Sequence, residues 1–428
     1  MAAHALVVPY PGRGHLNPMM YLTLKLAFHG ISVTFVLTES WLKIITQADE
    51  DPFTHTSNLQ AALIPDCMVG ESQRGENFIE FFHSLSNMEA HVAHLLTNLN
   101  SSEKPVTCMV ADIFLKWTVP FAKRHALLSV SMCPMSVTSF SISYHLCLGL
   151  EGWKDYIPRS PPQPTYSPLR NEITECLANV STTDWIVANS FYALDCKAVE
   201  IQSQKTPVYC VGPLNMGSSS KLQTHCIEWL DCKPARSVIY VSFGSFMTVE
   251  RSQVREIADG LMKSGCYYLW ALRPDKEAGH VSEMLPTGFL EECEGRGVIA
   301  PWFRQAEVLK HPAVGGFLSH CGWNAVMESV SAGVPILGFP LAVDQFMNCR
   351  MMVEEWKFGL ALKKAEDGNR VIRAGEIEGK VKMLIEGEEG VRVRRLAERF
   401  RGVAEEEVSK GGRSASNLEI LVNSLKLI

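Results

Sequence analysis

The sequence predicts an α/β protein with two doubly wound parallel sheets. Short, continuous apolar runs alternate with segments of helical periodicity, and this alternation is typical of parallel strands whose two faces are covered by helices. It pauses at NMGSSSKLQT, residues 215–224, whose Gly and Ser content is typical of a linker, and then starts again. The length of 428 residues also suits two domains better than one.

The first half begins with the apolar run ALVVP. A turn sequence, Pro-Gly-Arg-Gly, follows at residues 11–14, and a helical pattern covers residues 18–29. The run GISVTFVLT comes next, so strand, helix and strand follow one another as in a parallel βαβ unit. Together the apolar runs of this half predict strands at residues 5–9, 30–38, 106–112, 127–132, 185–190 and 208–214.

The second half repeats the alternation of strands and helices. SVIYVSFGS, residues 237–245, predicts a strand that leads into a turn, and SQVREIADGLMKSG, residues 252–265, predicts a capped helix. Further strands are predicted at residues 267–272, 297–301, 315–320 and 335–340. We therefore predict a first domain over residues 1–213, a linker over 214–224, a second domain over 225–410, and a C-terminal helix over 411–428 that packs back on the first domain.

The composition argues against several classes of partner. A net charge of −6 and a pI of about 6.1 disfavour nucleic-acid and membrane-surface binding. No apolar run approaches the roughly 20 residues that span a bilayer, and the N-terminus has neither the basic start nor the apolar run of a signal peptide. The 13 cysteines are scattered without a Cys-x-x-Cys pair, so we expect reduced thiols in a cytoplasmic, monomeric protein.

Polar residues follow the predicted strands in both halves. In doubly wound sheets, ligands bind outside the carboxyl ends of the strands, and helix N-termini at that edge accept anions. A site in the cleft between the two domains is therefore expected from the polar and aromatic residues at the strand ends, which are His15, Asp112, Ser245, Trp302, Gln305, His320, Asn324, Asp344 and Gln345.

The stretch FLSHCGWNAVMESVSAGVP, residues 317–335, is predicted to run from a buried strand through a turn into a short helix. A phosphate at the start of this helix would meet backbone N–H groups, the Asn324 amide and the His320 imidazole. Glu328 lies one helical turn later, about 5.4 Å along the axis, where a ribose joined to that phosphate would place its hydroxyls. A phosphate beside a diol indicates a nucleotide ligand.

The segment from Trp302 to Gln345, WFRQAEVLKHPAVGGFLSHCGWNAVMESVSAGVPILGFPLAVDQ, resembles the signature of plant family 1 UDP-glycosyltransferases almost without gaps. The resemblance extends to PYPGRGHLNPMMYL, ADIFLKW, VSFGS and GGRSASNL, and so covers nearly the whole chain. It implies a GT-B fold, in which two Rossmann-like domains face across a cleft. It also implies the inverting transfer of a sugar, usually glucose, to a small lipophilic acceptor such as a flavonoid, another phenolic or a terpenoid of plant secondary metabolism.

The resemblance assigns each part of the donor to its own residues. Trp302 and Gln305 contact the uracil, and Glu328 contacts the ribose. The diphosphate is assigned to Ser245, His320, Asn324 and Ala325, and the sugar to Trp323, Asp344 and Gln345. Gln345 at the end of the signature, in place of a histidine, favours glucose over galactose. UDP-glucose is then a co-substrate, and the family needs neither a metal nor another cofactor.

His15 matches the general base of the family, and Asp112 matches the carboxylate that orients it. An acceptor hydroxyl is a poor nucleophile until a base removes its proton, and a neutral imidazole titrates in the useful range. A carboxylate on the other ring nitrogen fixes the tautomer and stabilises the imidazolium, as in a hydrolase triad. The acceptor itself is the nucleophile.

The sequence departs from the family pattern at three places. Ala325 replaces a Ser or Thr, which removes a hydroxyl contact to phosphate and predicts donor binding weaker by about 1 kcal/mol. Phe303 and Arg304 replace a small residue and a proline. Arg304 either contacts the diphosphate or faces solvent, and we expect it to face solvent. Arg13 stands where a glutamine is common, and with Phe114 it is assigned to the acceptor side.

Three other functions stay open at this point. One is transfer to carbon, or from another UDP-sugar, by the same residues. A second is a non-catalytic nucleotide-sugar binder, against which the presence of both His15 and Asp112 argues. A third is a sugar-nucleotide epimerase of the same fold, which would turn over the donor without an acceptor.

Overall fold

The computed structural model describes residues 3–46, 53, 56–68, 78–101, 103–149, 169–215, 224–244, 249–274, 280–363 and 371–428. By internal contacts the chain divides into two compact units. Unit 1 comprises Met1–Asn215 and Glu406–Ile428, and unit 2 comprises Met216–Glu405. Each unit is built on one parallel sheet, of seven strands in unit 1 and six in unit 2.

Unit 1 has its strands in the order β3-β2-β1-β4-β5-β6-β7. They are β1 His4–Val8, β2 Ser32–Thr38, β3 Leu59–Ile64, β4 Cys108–Asp112, β5 Leu128–Cys133, β6 Trp185–Ala188 and β7 Val208–Cys210. Its helices are α1 Arg13–Phe28, α2 Glu39–Thr46, α3 Phe78–Ser84, α4 Met88–Asn100, α5 Thr118–Arg124, α6 Val137–Cys147, α7 Arg170–Val180 and α8 Tyr192–Ser203, with a 3₁₀ turn at Leu85–Asn87. The order reverses at β1 and β4, which is the switch point where doubly wound sheets bind ligands.

Unit 2 has the order β10-β9-β8-β11-β12-β13, with its switch point between β8 and β11. Its strands are β8 Val238–Ser242, β9 Tyr267–Ala271, β10 Gly297–Ala300, β11 Val314–Ser319, β12 Ile336–Gly338 and β13 Gly359–Ala361. Its helices are α9 Thr224–Asp231, α10 Arg251–Ser264, α11 Phe289–Glu292, α12 Gln305–Lys310, α13 Trp323–Ala332, α14 Gln345–Arg350, α15 Ala374–Ile385 and α16 Glu388–Val408, with a 3₁₀ turn at Val281–Met284 and a π turn at Met351–Glu355.

Helix α17, Arg413–Lys426, belongs to unit 1 although it ends the chain. Its apolar face joins the core on one side of the first sheet through Leu418, Leu421 and Leu425. The side-chain amide of Asn417 donates to the carbonyl of Cys210 at the end of β7, at 2.8 Å. The C-terminal segment is therefore fastened to unit 1 by both apolar burial and a hydrogen bond.

Helix α1 begins earlier than its sequence pattern predicts. The pattern placed the helix at residues 18–29, whereas the structure has it at Arg13–Phe28. Gly12 caps it in an extended conformation, and the N–H groups of His15 and Leu16 already bond to the Gly12 carbonyl. The predicted start was too late because it was placed at Pro18. This proline lies inside the helix, in its second turn, where it lacks one backbone donor. His15 is consequently on the first turn of a helix.

Two edge strands were not predicted from the sequence. β3 buries only Leu59 and Ile64 at its two ends, and β13 is only three residues long. Both therefore bury fewer residues than the central strands β1 and β4. Among the described residues, no helix combines the length and the apolarity that a membrane crossing requires.

Candidate active site

The switch point of unit 1 brings His15 and Asp112 together. The register pairs Val8 of β1 with Ala111 of β4, so the two strands end at the same level of the sheet. Asp112 is the last residue of β4, and His15 lies on the first turn of the helix that follows β1. Parallel strands that end side by side therefore place the imidazole next to the carboxylate.

The two side chains form a hydrogen-bonded dyad. His15 Nδ1 lies 2.8 Å from Asp112 Oδ2, and the backbone N–H of Phe114 donates to Asp112 Oδ1 at 2.9 Å. The His15 side chain is 26% exposed, whereas that of Asp112 is 0% exposed. Because a carboxylate only accepts, Nδ1 carries the proton in the neutral ring. Nε2 is then left with its lone pair, as a general base requires.

Two aromatic rings lie beside the imidazole. The ring of Tyr10 lies 4.5 Å from that of His15 at a 33° tilt, and the ring of Phe114 meets it edge-on at 5.8 Å. Tyr10 in turn contacts Phe81 and Phe82. Sequence reasoning did not select Tyr10, although it lies two residues after β1.

Helix α7 holds the loop that follows Asp112. The Cys176 thiol donates to the carbonyl of Phe114 at 3.5 Å, and the Asn179 amide donates to the carbonyl of Lys116 at 2.8 Å. The loop that supplies the Phe114 N–H to Asp112 is thus fixed from outside the sheet. Nothing in the sequence pattern pointed to α7 as a support for the dyad.

Arg13 is the first residue of α1 and is partly buried. Burial lowers the pKa of its guanidinium below the ordinary value, but a group with so high a pKa stays charged at neutral pH. Residues two apart on a helix do not share a face. Arg13 and His15 therefore lie on different sides of the first turn of α1.

The switch point of unit 2 places His320 directly after β11. The register pairs Ser319 of β11 with Ser242 of β8, so the loops after these strands are neighbours. The His320 ring fits against two glycines: a Cβ added at Gly244 would lie 2.7 Å from Nε2, and one added at Gly322 would lie 2.5 Å from it. Both distances are shorter than van der Waals contact. The imidazole needs both of these positions to lack a side chain.

Burial sets the charge of this second histidine. It lowers the pKa of the His320 imidazole to about 4, so the ring is neutral at physiological pH. His320 therefore brings no full positive charge to an anion, and its ring is hydrogen-bonded to the backbone of Ser242. A histidine beside a bound anion is expected to be a charged imidazolium, but this buried ring is neutral.

Helix α13 starts next to His320 with the features of an anion site. Its N-cap is Gly322, and no acidic residue lies in its first turn to offset the positive end of the helix. Asn324 and Ala325 are on that first turn, and the Ala325 side chain is buried. The predicted phosphate-binding segment thus has the strand, turn and helix that the sequence indicates.

Glu328 lies one turn further along α13 and interacts with Gln305. The Gln305 amide donates to Glu328 Oε2, and the Tyr240 hydroxyl donates to Gln305 Oε1 at 3.4 Å. Burial raises the pKa of the Glu328 carboxyl to about 7, against the opposing effect of the Gln305 hydrogen bond. A carboxyl group whose pKa lies near neutral pH, beside a predicted anion site, is characteristic of functional residues.

The aromatic residues of the donor segment differ in exposure. Trp302 follows β10 and is 48% exposed, so its indole face is accessible to a planar ligand. Trp323 is buried, and its ring lies 6.0 Å from that of Trp356. Trp302 therefore suits stacking on a base, whereas Trp323 packs largely within the unit.

Asp344 and Gln345 lie at the start of α14. Gln345 Oε1 accepts from the backbone N–H groups of Leu341 and Ala342, at 2.9 and 3.0 Å. The Asn348 side-chain amide donates to Asp344 Oδ2 at 2.8 Å. Asn348 was not singled out from the sequence. The two predicted sugar-binding residues are consequently held by their own loop and helix.

Two expectations of the sequence need comment. The expectation that Arg304 faces solvent is wrong: its side chain is only 11% exposed and pairs with Glu307 at 3.0 Å. Its three-residue spacing to that glutamate, at the start of α12, explains the pairing. Ser245, predicted to contact the diphosphate, lies outside the described residues.

Comparison with known proteins identifies the family. The family model for "UDP-glucoronosyl and UDP-glucosyl transferase" matches residues 129–386, more than half of the chain. UDP-glycosyltransferase 86A1 of Arabidopsis thaliana is 31% identical over 99% of this chain and 94% of its own. The chain belongs to the plant family 1 UDP-glycosyltransferases. This glycosyltransferase is also 31% identical to gallate 1-beta-glucosyltransferase of Quercus robur, over 99% of this chain and 90% of the relative.

Solved structures agree over the whole length. A variant of Os79 from O. sativa, in complex with UDP, has a TM-score of 0.88 at 25% identity and covers 98% of this chain and 100% of its own. UGT71G1 of Medicago truncatula, complexed with UDP-glucose, has a TM-score of 0.84 at 26% identity and covers 99% and 98%. With the two parallel sheets, these similarities confirm the predicted GT-B fold class of this glycosyltransferase.

The contact between His320 and Gly322 gives a testable prediction. In this glycosyltransferase, Gly322→Ala would place a methyl group against His320 Nε2 and displace the ring from the start of α13. Since Gly322 has an ordinary φ of −60°, the change adds no backbone strain. We expect UDP to bind about 10-fold more weakly, the scale of one good hydrogen bond, as measured by isothermal titration calorimetry.

A double variant separates this steric effect from general damage. In a His320→Ala background the clash is absent, so Gly322→Ala should cause no further loss of UDP affinity. A further loss of similar size in that background would show that the alanine disturbs the loop itself rather than the histidine.

Proposed function

We propose that this glycosyltransferase transfers glucose from UDP-glucose to a hydroxyl of a small lipophilic acceptor, with inversion at the anomeric carbon and with His15 as general base. The observation that carries the proposal is the 2.8 Å hydrogen bond between His15 Nδ1 and Asp112 Oδ2. It supports the base role because it directs the lone pair of Nε2 away from the buried carboxylate and towards the partly exposed side of the ring.

The proposed reaction is a single displacement. The acceptor oxygen forms a bond to the anomeric carbon while the bond from that carbon to the UDP oxygen breaks, and the acceptor proton passes to His15 Nε2. Asp112 stabilises the imidazolium that forms, since an opposite charge within hydrogen-bond distance favours the protonated ring. One displacement converts the α-linked donor into a β-linked product.

We assign donor binding to unit 2. The exposed indole of Trp302 suits stacking on uracil, and Glu328 with Gln305 suits the ribose hydroxyls. The start of α13 with His320 suits the diphosphate. Several relatives support a nucleotide donor, because their solved structures contain UDP or UDP-glucose.

We propose that the leaving UDP is stabilised by protein donors and that the transfer requires no metal. The positive end of α13 favours negative charge at the diphosphate. The His320 imidazole beside this helix start is neutral, because burial lowers its pKa to about 4. Preorganised N–H groups of this kind stabilise developing negative charge without a change of protonation.

The rings around His15 support an apolar, planar acceptor. Tyr10 and Phe114 contact the imidazole, and Phe81 and Phe82 extend the aromatic surface behind Tyr10. Relatives carry the names gallate 1-beta-glucosyltransferase, limonoid UDP-glucosyltransferase and 7-deoxyloganetin glucosyltransferase. A mass-spectrometric screen of phenolic and terpenoid acceptors with UDP-glucose and competing UDP-sugars tests the proposed acceptor class, the donor sugar and transfer to oxygen.

His15→Ala tests the proposed base. We expect turnover of an acceptor found in the screen to fall at least about 100-fold, the lower range for loss of a general base, while UDP binds as in the wild type. Initial rates by UDP release and a calorimetric titration with UDP measure the two quantities.

A matched control is His29→Ala, which removes a histidine from the other end of the same helix. It should leave both the rate and UDP binding unchanged. Unchanged turnover in His15→Ala would overturn the assignment of the base. Without any acceptor, UDP release would favour a hydrolase, and conversion of the UDP-sugar into an epimer would favour an epimerase.

The raised pKa of Glu328 predicts a pH-dependent donor affinity. The ionised carboxylate accepts hydrogen bonds from ribose hydroxyls, and a carboxyl with a pKa of about 7 is protonated as pH falls through that value. The affinity for UDP-glucose should therefore decrease below pH 7, by up to about 10-fold per pH unit. UDP-glucose is the suitable ligand because its diphosphate keeps a constant charge in this range.

The control is Glu328→Gln, which cannot ionise and should bind UDP-glucose more weakly with little pH dependence. An affinity that stays constant from pH 8 to pH 6 in the wild type would contradict the role of Glu328. Equal pH dependence in the variant would place the titrating group elsewhere.

A further inference from the structure

Asn348 connects the two parts of the donor site in unit 2. Its side chain is fully buried on α14. The amide Nδ2 donates to Asp344 Oδ2 at 2.8 Å and to the carbonyl of Cys321 at 3.1 Å. Its backbone N–H also donates to the Asp344 carbonyl at 2.8 Å. One residue therefore contacts both the start of α14 and the loop before α13.

The chemistry of these contacts fixes the orientation of the amide. A carboxylate and a backbone carbonyl both accept, so the NH₂ group of Asn348, and not its oxygen, must face them. An amide NH₂ has two hydrogens, and each has its own acceptor here. The bond to Asp344 is assisted by the carboxylate charge, which makes it stronger than a neutral hydrogen bond.

The Cys321 end of the bridge is a constrained piece of backbone. Cys321 has a φ of 63°, a left-handed conformation that residues with a side chain adopt at some energetic cost. It lies between His320 and the Gly322 N-cap of α13. The hydrogen bond from Asn348 therefore helps to hold this carbonyl where the left-handed turn places it.

We propose that Asn348 is a positioning residue for the donor sugar. Through one oxygen it fixes the Asp344 carboxylate, and through Cys321 it fixes that carboxylate relative to the loop that binds the diphosphate. The inference rests on the proposed glucose transfer together with the assignment of Asp344 to the sugar by the family resemblance, in which its carboxylate accepts a sugar hydroxyl. It goes further by making sugar recognition depend on a buried residue that does not touch the donor.

A specific consequence follows for binding. Without the amide of Asn348, the Asp344 side chain can rotate among its rotamers and loses its fixed direction. Contacts to uracil and ribose involve other residues, and the loop before α13 keeps the hydrogen bond from the Cys321 N–H to Ser319 Oγ at 3.1 Å, so contacts to the UDP part should persist. The loss should therefore appear in the binding of UDP-glucose relative to that of UDP, rather than in the binding of both.

The experiment is a double-mutant cycle of Asn348→Leu and Asp344→Ala in the full-length chain. Leucine has the branched shape of asparagine but cannot donate; Asn348→Ala replaces it if the leucine variant does not fold. For each variant, calorimetric titration with UDP and with UDP-glucose gives the ratio of the two dissociation constants. A thermal melt records stability in parallel.

We expect each single variant to weaken UDP-glucose binding about 10-fold relative to UDP, on the scale of a charged hydrogen bond. The double variant should match Asp344→Ala alone, because Asn348 acts through Asp344. Cys349→Ala is the matched control: its thiol contacts that of Cys321 from the next position of the same helix, and its removal should leave the ratio unchanged.

Three results would overturn the inference. The first is an unchanged ratio of the two dissociation constants in the Asn348 variant, and the second is an equal loss of affinity for UDP and UDP-glucose. The third is a further change of the ratio when the Asn348 substitution is added to Asp344→Ala. Failure of the proposed function has a different signature. In that case Asp344→Ala alone would leave the ratio unchanged, and the role of Asn348 would fall with that of Asp344.

Discussion

The hydrogen bond between His15 and Asp112 constrains much of unit 1. A fully buried carboxylate is costly unless its oxygens accept hydrogen bonds, and Asp112 receives one from the imidazole and one from the Phe114 amide. Both donors are present only because β1 and β4 end at the same level and because α1 starts early enough to carry His15 on its first turn. A one-residue slip of β4 would turn Asp112 to the other face of the sheet.

In the proposed function, unit 2 uses the same architecture for the opposite electrostatic task. Its switch point presents the N–H groups of a helix N-terminus beside a neutral His320. The His320 ring fits in this arrangement because Gly244 and Gly322 have no Cβ. Small residues at the ends of strands therefore matter as much for the anion site as the residues that donate.

The sequence predicted the central strands and the residues at their ends because buried parallel strands are continuous apolar runs. It missed the edge strands β3, whose middle residues are not buried, and β13, which has only three residues, and it misplaced the start of α1 because of Pro18. Residues whose roles depend on packing were also missed. Tyr10 and Asn348 have no local signature, since their partners are brought to them only by the fold.

The central claim is a direct displacement by an acceptor that His15 activates. The most direct measurement is the anomeric configuration of the product formed from UDP-α-D-glucose, read from the coupling of the anomeric proton by NMR spectroscopy. A single displacement predicts a β-glucoside with a large coupling between axial protons. An α-glucoside with a small coupling would contradict the account, because retention requires either a second displacement or attack from the face of the leaving UDP.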